Sequence, residues 1–176
     1  MRYWWVNQNQ TFEHEFSGGY LWSPKTRSDG ARHHYYETMR EVSPGDIILS
    51  FRNTRICAIG IARTNCYESP KPQEFGRVGA NWGGGGWKVD INYTKLNHSI
   101  RPREHMEILR PLLPLRYSPL QFSGSGIQNV YLTEVSEEFA QTLAGIVGPE
   151  AEFVQLSHAA VTMDAQGHMQ PRPKLE

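Results

Sequence analysis

The stretch from Tyr20 to Phe51 contains residue types suited to holding a flat ring beside a charged backbone. Tyr20-Leu21-Trp22-Ser23-Pro24 places an aromatic side chain at the mouth of a turn, and the apolar run Ile47–Phe51 predicts a rigid strand behind it. An aromatic face can stack on a ring, and nearby cations can contact phosphates. The intervening basic and imidazole groups are Lys25, Arg27, Arg32, His33 and His34. For each of these side chains taken singly, the alternative to a phosphate contact is simple exposure to solvent.

Amide side chains form a second group with recognisable chemistry. Asn7-Gln8-Asn9-Gln10 directly follows the first predicted strand. Each amide carries a donor and an acceptor together, which is what reading the edge of a base requires. Asn9 and Gln121 are therefore candidates for testing a Watson–Crick edge. A hydrogen-bonded turn is the alternative for the amides at 7–10.

Two glycine-rich segments provide mobile or amide-lined backbone. Asn81–Trp87 places four glycines between Trp82 and Trp87. Such a soft backbone would let a tryptophan move over a ligand, and a plain flexible insertion is the alternative. No Gly-Lys-Ser/Thr follows, so this is not a phosphate-binding P-loop. In the loop Ser123-Gly124-Ser125-Gly126, successive N–H groups can form an anion nest.

Signals for catalysis are weak. Seven histidines are scattered along the chain, and His33-His34 lacks a Cys or carboxylate at metal-ligand spacing. No Gly-x-Ser-x-Gly elbow is present, and Asp29, Asp46, Asp90 and Asp164 do not cluster as nuclease carboxylates do. We therefore predict a binding module, with no catalytic residue, metal or cofactor.

Composition adds a charge asymmetry. The 176 residues have zero formal net charge, but residues 1–120 carry 16 Lys and Arg against 11 Asp and Glu, while 121–176 carry 2 against 7. The basic excess lies with the aromatic residues, as in a nucleic-acid-binding surface. A solvated surface with an acidic helix at one end is the alternative.

The predicted location is cytoplasmic. Cys57 and Cys66 are expected to be reduced thiols, because the N-terminus lacks an export signal and only one pair is possible. No apolar run approaches the roughly 18 residues that a membrane span needs. We therefore expect no membrane partner.

Hydrophobic periodicity predicts an α+β fold: a small, bent, mixed β-barrel of five to six strands flanked by about three helices. The packed domain is predicted to cover 1–148, with 149–176 a linker or disordered tail. The segment from Tyr67 to Trp87 is predicted to be irregular. Predicted strands are 2–6, 20–22, 47–51, 56–62, 87–93 and 127–135. The main predicted helices are 32–42, 104–109 and 136–147, and a short helix is predicted over 11–16.

The order of these motifs resembles an EVE domain. EVE domains belong to the PUA-like superfamily, together with the YTH readers of methylated adenine in RNA. The resemblance covers about residues 1–148 and is closest to the EVE modules N-terminal to HNH in modification-dependent (type IV) restriction endonucleases. The motifs are Tyr3–Val6, Leu21–Pro24, Gly30–Arg32, Pro44–Ile48, Ile59–Ala62 and Trp87–Ile91.

This resemblance implies a flipped base held in an aromatic cage. Trp22 would be one wall, Ser23 would offer backbone contacts to the ring, and Asn9 would bond the base. Trp82 would be the second wall, with Trp87 or Tyr20 as substitutes. The phosphate contacts would come from the five basic and imidazole groups at positions 25–34, from Arg101 and Arg103, and from Ser123 and Ser125.

The implied function is recognition of 5-methylcytosine or 5-hydroxymethylcytosine in double-stranded DNA, targeting a downstream nuclease domain of the same polypeptide. An RNA-binding PUA or YTH-like module is the alternative, and a hydrolase-like relative acting on nucleosides is a third hypothesis. The chain has Asn7–Gln10 where many EVE domains have Lys-Ser-Glu-Pro, which leaves the ligand open. The interpretation requires an opening beside Trp22 wide enough for a pyrimidine.

Overall fold

A computed structural model describes residues 1–78 and 85–156 of the chain. The predicted cage residue Trp82 lies outside these ranges. The strands are β1 (Tyr3–Asn7), β2 (Tyr20–Pro24), β3 (Ile47–Arg52), β4 (Arg55–Ala62), β5 (Tyr67–Pro70), β6 (Gly85–Ile100) and β7 (Leu132–Val135). The α-helices are α1 (Phe12–Gly18), α2 (His34–Glu37), α3 (Met106–Leu109) and α4 (Glu137–Val147), and short 3-10 turns extend or follow them.

The strands form one curled mixed sheet in the order β2-β6-β4-β3-β1-β7, with β5 also paired to β6. Only β1 and β3 are parallel among these pairs, and the others are antiparallel. The long strand β6 pairs with β2 and β5 through its first half and with β4 through its second, so the sheet bends along it. We call the gap between the end strands β2 and β7 the seam.

This architecture confirms the predicted α+β class, a bent mixed sheet flanked by helices. The described residues form seven strands in place of the predicted five to six, because Tyr67–Pro70 is a short strand within the stretch predicted to be irregular. Gly60 in β4 allows a close approach: a Cβ there would lie 2.4 Å from Ile91 Cγ2 of β6. A side chain at this position would separate the two central strands.

The two largest cores lie on opposite faces of the sheet. The adjacent residues Trp4 and Trp5 face opposite ways, and both are fully buried. Trp5 packs on the outer face, where its ring centroid lies 6.1 Å from that of Phe139 in α4. Trp4 packs inside the curl, and its Nε1 donates to Asp46 Oδ2 at 3.0 Å. Both faces of β1 are thus covered.

The end of the domain differs from the prediction. Ser136 caps α4 as its sequence indicates, accepting the Phe139 N–H at 3.0 Å. The packed chain continues past the predicted boundary at 148, because Ala151 and Val154 are both fully buried in the outer core. Pro149 begins a 3-10 turn there, and residues 152–156 continue it as helix. Residues 157–176 of the predicted tail lie outside the described residues.

The helix predicted over 32–42 is shorter and less regular. α2 spans only His34–Glu37, and a 3-10 turn follows at Thr38–Glu41. The Thr38 hydroxyl lies 2.6 Å from the Leu132 carbonyl of β7, to which it donates. The conformation of this segment therefore depends on its contact with β7 as well as on its helical periodicity.

Both cysteines are free thiols, as predicted, and burial raises the pKa of Cys66 to about 11. No helix within residues 1–78 and 85–156 has the length and apolar character needed to cross a membrane.

Candidate nucleic-acid interface

A cavity of about 450 Å³ opens at the seam, beside the carboxyl ends of β1 and β2. We call it the seam pocket. Its walls come from β1 and the connection to α1, from α1 itself, from the end of β2, from α2, and from the segment before β7. The lining residues are Asn7, Asn9, Gln10, Thr11, Glu15, Trp22, Ser23, Pro24, Tyr36, Gln128, Asn129, Val130 and Tyr131.

Tyr131 bridges the seam. Its backbone carbonyl accepts the Asn7 N–H at 2.8 Å, and its phenol oxygen accepts the Trp22 N–H at 3.1 Å. One residue therefore connects β1 to β2 across the open side of the sheet. The pocket walls are held at a fixed spacing by hydrogen bonds that no strand pairing supplies.

Glu15 lies behind this bridge and is fully buried. Gln8 Nε2 donates to one carboxyl oxygen at 2.5 Å, Thr11 Oγ1 donates to the other at 2.9 Å, and Tyr131 Oη lies 2.9 Å from both. Burial raises the pKa of Glu15 to about 8, although these hydrogen bonds oppose the shift. At neutral pH the side chain is therefore mostly an uncharged acid.

Sequence reasoning missed Glu15 as a pocket residue. The signal was its spacing, since Phe12, Glu15 and Phe16 fall on one face of α1 at i, i+3 and i+4. That face is predicted to pack against the sheet. A carboxyl group on such a face must find hydrogen-bond donors or lose its charge.

Trp22 lines the seam pocket, but its side chain is only 1% exposed. The indole packs edge-on against Phe75, with ring centroids 5.7 Å apart at 87°, and its Nε1 donates to the Ser69 carbonyl at 3.1 Å. The ring is therefore a buried support of the wall of the seam pocket. Ser23 is also 1% exposed, and its hydroxyl donates to the Pro24 carbonyl at 3.0 Å.

Asn9 lines the pocket as well, at its exposed mouth. Its side-chain oxygen accepts the Asn53 N–H at 2.8 Å, which anchors the β1–α1 connection to the β3–β4 turn. This bond uses the side-chain oxygen of Asn9, so the NH₂ group of the same amide can donate to another partner.

Tyr36 is an aromatic wall that the sequence did not identify, because its helical spacing placed it on the packing face. It is half-buried and lies edge-on to Tyr131, with ring centroids 6.5 Å apart. On its other side it stacks with His33 at 4.5 Å. Burial lowers the pKa of His33, with smaller contributions from Arg27 and His34, which favours the neutral imidazole.

Two of the predicted cage substitutes do not line the seam pocket. Tyr20 shares a face of β2 with Trp22 and packs with Phe75, and its phenol donates to Glu74 at 2.6 Å. Trp87 of β6 is half-buried, with Lys25 Nζ 4.7 Å and Arg40 Cζ 5.2 Å from its ring centroids. Cations therefore already contact the Trp87 ring.

The loop from Ser123 to Gly126 also lies outside the lining of the seam pocket. Gln121 is exposed and donates its side-chain NH₂ to the Gly126 carbonyl at 3.2 Å. Within the loop, the Gly124 N–H donates to the Gln121 carbonyl at 2.9 Å and the Ser125 N–H to Ser123 Oγ at 3.3 Å. Two amides of the predicted anion nest are thus used by the loop itself.

Several predicted phosphate contacts are engaged in surface ion pairs. Lys25 pairs with Glu68 at 2.5 Å, Arg27 with Asp29 at 3.5 Å and Arg101 with Glu104 at 3.8 Å. Exposed pairs of this kind contribute little to stability and can be exchanged for other anions. Among the other candidates, Arg32 and Arg103 are exposed, and His34 stacks on Tyr117 with ring centroids 3.5 Å apart.

A second cavity of about 520 Å³ lies beside the N-terminal end of β1, and we call it the N-terminal groove. Arg2 crosses it, pairing with Glu134 at 2.6 Å and with Glu41 at 3.4 Å. These bonds raise the pKa of Arg2. Its lining residues include Arg2, Glu41, Glu134, Glu137, His34, Arg116 and Tyr117.

Within residues 1–78 and 85–156, no group of three or more His, Cys, Asp or Glu side chains is placed to hold a metal ion.

Comparison with known proteins shows that this chain shares its fold with several solved structures. No family model matches the sequence, and no curated protein matches it. Human THYN1, solved in complex with 5-methylcytosine-containing DNA, has a TM-score of 0.55 at 9% identity over 84% of this chain and 98% of that one. A hypothetical protein from Leishmania major scores 0.57 at 9% identity, covering 84% and 94%.

The Pho92 YTH domain in complex with m6A has a TM-score of 0.52 at 11% identity, over 83% of this chain and 85% of that one. At these identities the likeness concerns the fold alone. It confirms the PUA-like architecture that the sequence motifs predicted.

Proposed function

We propose that this chain is a nucleic-acid-binding module that takes a single modified base, 5-methylcytosine or 5-hydroxymethylcytosine in duplex DNA, into the seam pocket. The observation that carries the proposal is the pocket itself: a cavity of about 450 Å³ at the seam of a PUA-like sheet, lined by aromatic and amide side chains. THYN1, which shares this fold, was solved with 5-methylcytosine-containing DNA, and this supports the choice of ligand.

A base enclosed in the pocket must leave the stack of its duplex. Extrusion costs a few kcal/mol, and stacking on an aromatic side chain returns about 1–3 kcal/mol per base. Tyr36 is a half-buried aromatic residue of the pocket and would provide that stacking surface. Trp22 and Tyr131 would support it from behind. Amides of the lining, Asn9 foremost, would bond the exposed base edge.

Phosphate contacts would come from the mouth of the pocket. Lys25 follows the pocket residue Pro24 directly and Arg27 comes two residues later, and their present partners are the exposed carboxylates Glu68 and Asp29. Phosphates of the flanking nucleotides can replace these partners at small cost. Binding of this kind weakens steeply as salt rises. In the polypeptide, such a module would deliver an HNH nuclease domain to modified DNA.

A binding panel tests the proposal. Labelled duplexes that differ at one cytosine, carrying cytosine, 5-methylcytosine or 5-hydroxymethylcytosine, are titrated by fluorescence anisotropy at fixed salt. A methyl group in an apolar contact is worth about 1 kcal/mol, or roughly fivefold in affinity. We expect at least this preference for a modified duplex, with rising 2-aminopurine fluorescence next to the modified base if it flips. Equal affinity for all three duplexes contradicts the proposal.

An RNA reader is the second candidate, because the Pho92 YTH domain of the same fold was solved with m6A. A single-stranded RNA carrying one N6-methyladenine belongs in the same panel. Tighter binding to this RNA than to any modified duplex would favour the second candidate. Gln121→Ala serves as a control variant in both cases, because Gln121 is exposed and outside the lining of the pocket.

A further inference from the structure

The turn between β3 and β4 lies beside the mouth of the seam pocket. It consists of Asn53 and Thr54, which we call the hairpin tip, and it joins the last residue pair of the two strands, Arg52 and Arg55. The Asn53 N–H donates to the side-chain oxygen of Asn9 at 2.8 Å, and Asn9 lines the mouth of the pocket. A duplex that places one base in the pocket would therefore pass close to the hairpin tip.

The backbone of the hairpin tip is strained at Thr54. Asn53 and Thr54 have φ values of 48° and 67°, the left-handed conformation that a two-residue hairpin turn requires at both positions. Asparagine followed by glycine is the favoured sequence for such a turn. Asn53 fits this preference, but a β-branched residue such as Thr54 rarely adopts a positive φ. Strain of this kind is found at ligand-binding sites, where the surrounding structure maintains it.

The charges beside the hairpin tip are a second local conflict. Arg52 and Arg55 lie directly opposite one another, where like charges are destabilising. Arg52 pairs with the exposed carboxylate of Glu13, and the Arg55 guanidinium donates to the Ser99 carbonyl at 3.4 Å and to Ser99 Oγ at 3.3 Å. A phosphate between the two arginines would relieve their repulsion through charge-assisted hydrogen bonds. Local conflicts of this kind are expected at functional sites.

We propose that the hairpin tip reads the base pair next to the modified base, while Arg52 and Arg55 hold a flanking phosphate. This inference rests on the proposed function and adds to it a preference for the neighbouring sequence. Both tip residues are exposed, and a two-stranded ribbon fits the major groove, which is about 12 Å wide. The amide of Asn53 can bond N6 and N7 of adenine, and the hydroxyl of Thr54 can bond any base edge. The tip therefore favours adenine beside the modified cytosine.

Duplexes that carry one 5-methylcytosine, with each adjacent base pair changed in turn through its four identities, test the preference. In fluorescence anisotropy the parent should bind a duplex with adjacent adenine about fivefold or more tighter than the others. Asn53→Gly keeps the turn but removes the amide, so it should bind all of these duplexes nearly equally. A parent that binds them equally, or an Asn53→Gly variant that keeps the preference, overturns the proposal.

Thr54→Gly tests whether the strain serves binding. Because glycine adopts a positive φ freely, we expect the midpoint of thermal unfolding to rise by about 2–4 °C. Affinity for the preferred duplex should nevertheless fall about fivefold. Thr54→Ser keeps the hydroxyl and should retain the affinity of the parent. A Thr54→Gly variant whose midpoint does not rise, or whose affinity is unchanged, overturns the proposal.

Selectivity for 5-methylcytosine over cytosine, measured with the same neighbouring base pairs, separates this inference from the proposed function. Asn53→Gly and Thr54→Gly should both keep that selectivity, because the modified base is enclosed by the seam pocket. Gln121→Ala should match the parent in every measurement. A parent that selects the modified base without regard to its neighbours overturns the role of the hairpin tip alone. A parent that binds modified and plain duplexes equally rejects the proposed function and this inference together.

Discussion

The two cavities of this domain differ in how their polar groups are held. In the N-terminal groove, Arg2 spans the opening and pairs with Glu134 and Glu41, side chains that are 47% and 51% exposed. In the seam pocket, a fully buried uncharged acid, Glu15, holds neutral donors from several elements. The groove is slightly the larger of the two.

The volume of a cavity alone therefore does not identify it as a binding site. A ligand entering the groove must displace charges from one another, whereas the seam pocket offers amide and aromatic surfaces already fixed in place. Such preorganisation lowers the cost of binding. The groove is thus stabilised by exposed ion pairs, and the seam pocket by a buried network that is sensitive to the loss of one member.

The largest expected effect comes from removing that member. Glu15→Ala leaves Gln8, Thr11 and Tyr131 without their shared partner and creates a cavity, so we expect a loss of about 3–5 kcal/mol in the free energy of unfolding. Glu134→Ala is the matched change in the groove. Loss of an exposed ion pair should lower the free energy of unfolding by no more than about 1 kcal/mol. Urea denaturation measures both. Similar losses for the two variants would remove the distinction between the cavities.

The pH dependence of stability follows from the same carboxyl group. Its pKa is raised in the folded state, from 4.5 to about 8, so the folded chain binds the proton more tightly than the unfolded chain. This contribution is fully present below pH 4.5 and is lost as pH rises through 8. The free energy of unfolding of the parent should therefore fall by a few kcal/mol relative to Glu15→Gln across this range. Parallel curves for the two proteins would show that Glu15 titrates normally.

A backbone contact gives the next effect. A Cβ at Gly86 of β6 would lie 2.3 Å from both the Ser23 carbonyl oxygen and Trp22 Cζ2, so Gly86→Ala must displace the wall of the seam pocket. We expect a loss of about 1–3 kcal/mol in stability and weaker binding of the modified duplex. Gly85→Ala is the control, because nothing lies within 4 Å of its Cβ position. Equal midpoints of thermal unfolding for the two variants would mean that the wall of the seam pocket can move aside at little cost in stability.

Aromatic residues of the two cavities can be compared through binding. Tyr36 lines the seam pocket and Tyr117 lines the groove. Loss of one stacking contact costs about 1–3 kcal/mol, so Tyr36→Ala should weaken binding of the 5-methylcytosine duplex about tenfold or more, while Tyr36→Phe should retain it. Tyr117→Ala should leave the affinity unchanged. A stronger effect of Tyr117→Ala would assign the base to the groove.

Much of the fold was predictable from local patterns. Alternating and continuous apolar runs identified the main strands, and Ser136 before an acidic turn identified the start of α4. β5 was missed because Tyr67–Pro70 is four residues long and mostly exposed, which gives no hydrophobic pattern. Patterns of this kind depend on the burial of a segment, so a short exposed strand at an edge is not recognisable in the sequence.

The site was harder to predict, because its residues meet only after the sheet curls. Trp22, Ser23 and Asn9 do line the seam pocket. The sequence could not show that the Trp22 ring packs on Phe75, a residue from a distant connection. A fully buried tryptophan replaced by alanine costs about 3–5 kcal/mol, so Trp22→Ala would report on packing as much as on base binding.

The smallest expected effect concerns the charges at the mouths of the two cavities. Arg32 is exposed in the loop before α2, and Arg116 is exposed at the groove, where it lies 4.8 Å from the Tyr117 ring centroid. Each phosphate contact that a cation makes adds about 0.9 to the slope of log affinity against log salt. Arg32→Gln should therefore lower this slope by roughly one for every duplex, with the preference for the modified base unchanged.

Arg116→Gln is the control for this measurement and should leave the slope as it is in the parent. Because both changes remove one exposed positive charge, a general effect of net charge would alter the two slopes equally. A lower slope for Arg116→Gln alone would mean that the nucleic acid runs along the groove. In that case the groove would bind the backbone, and the seam pocket would keep only its role in reading the base.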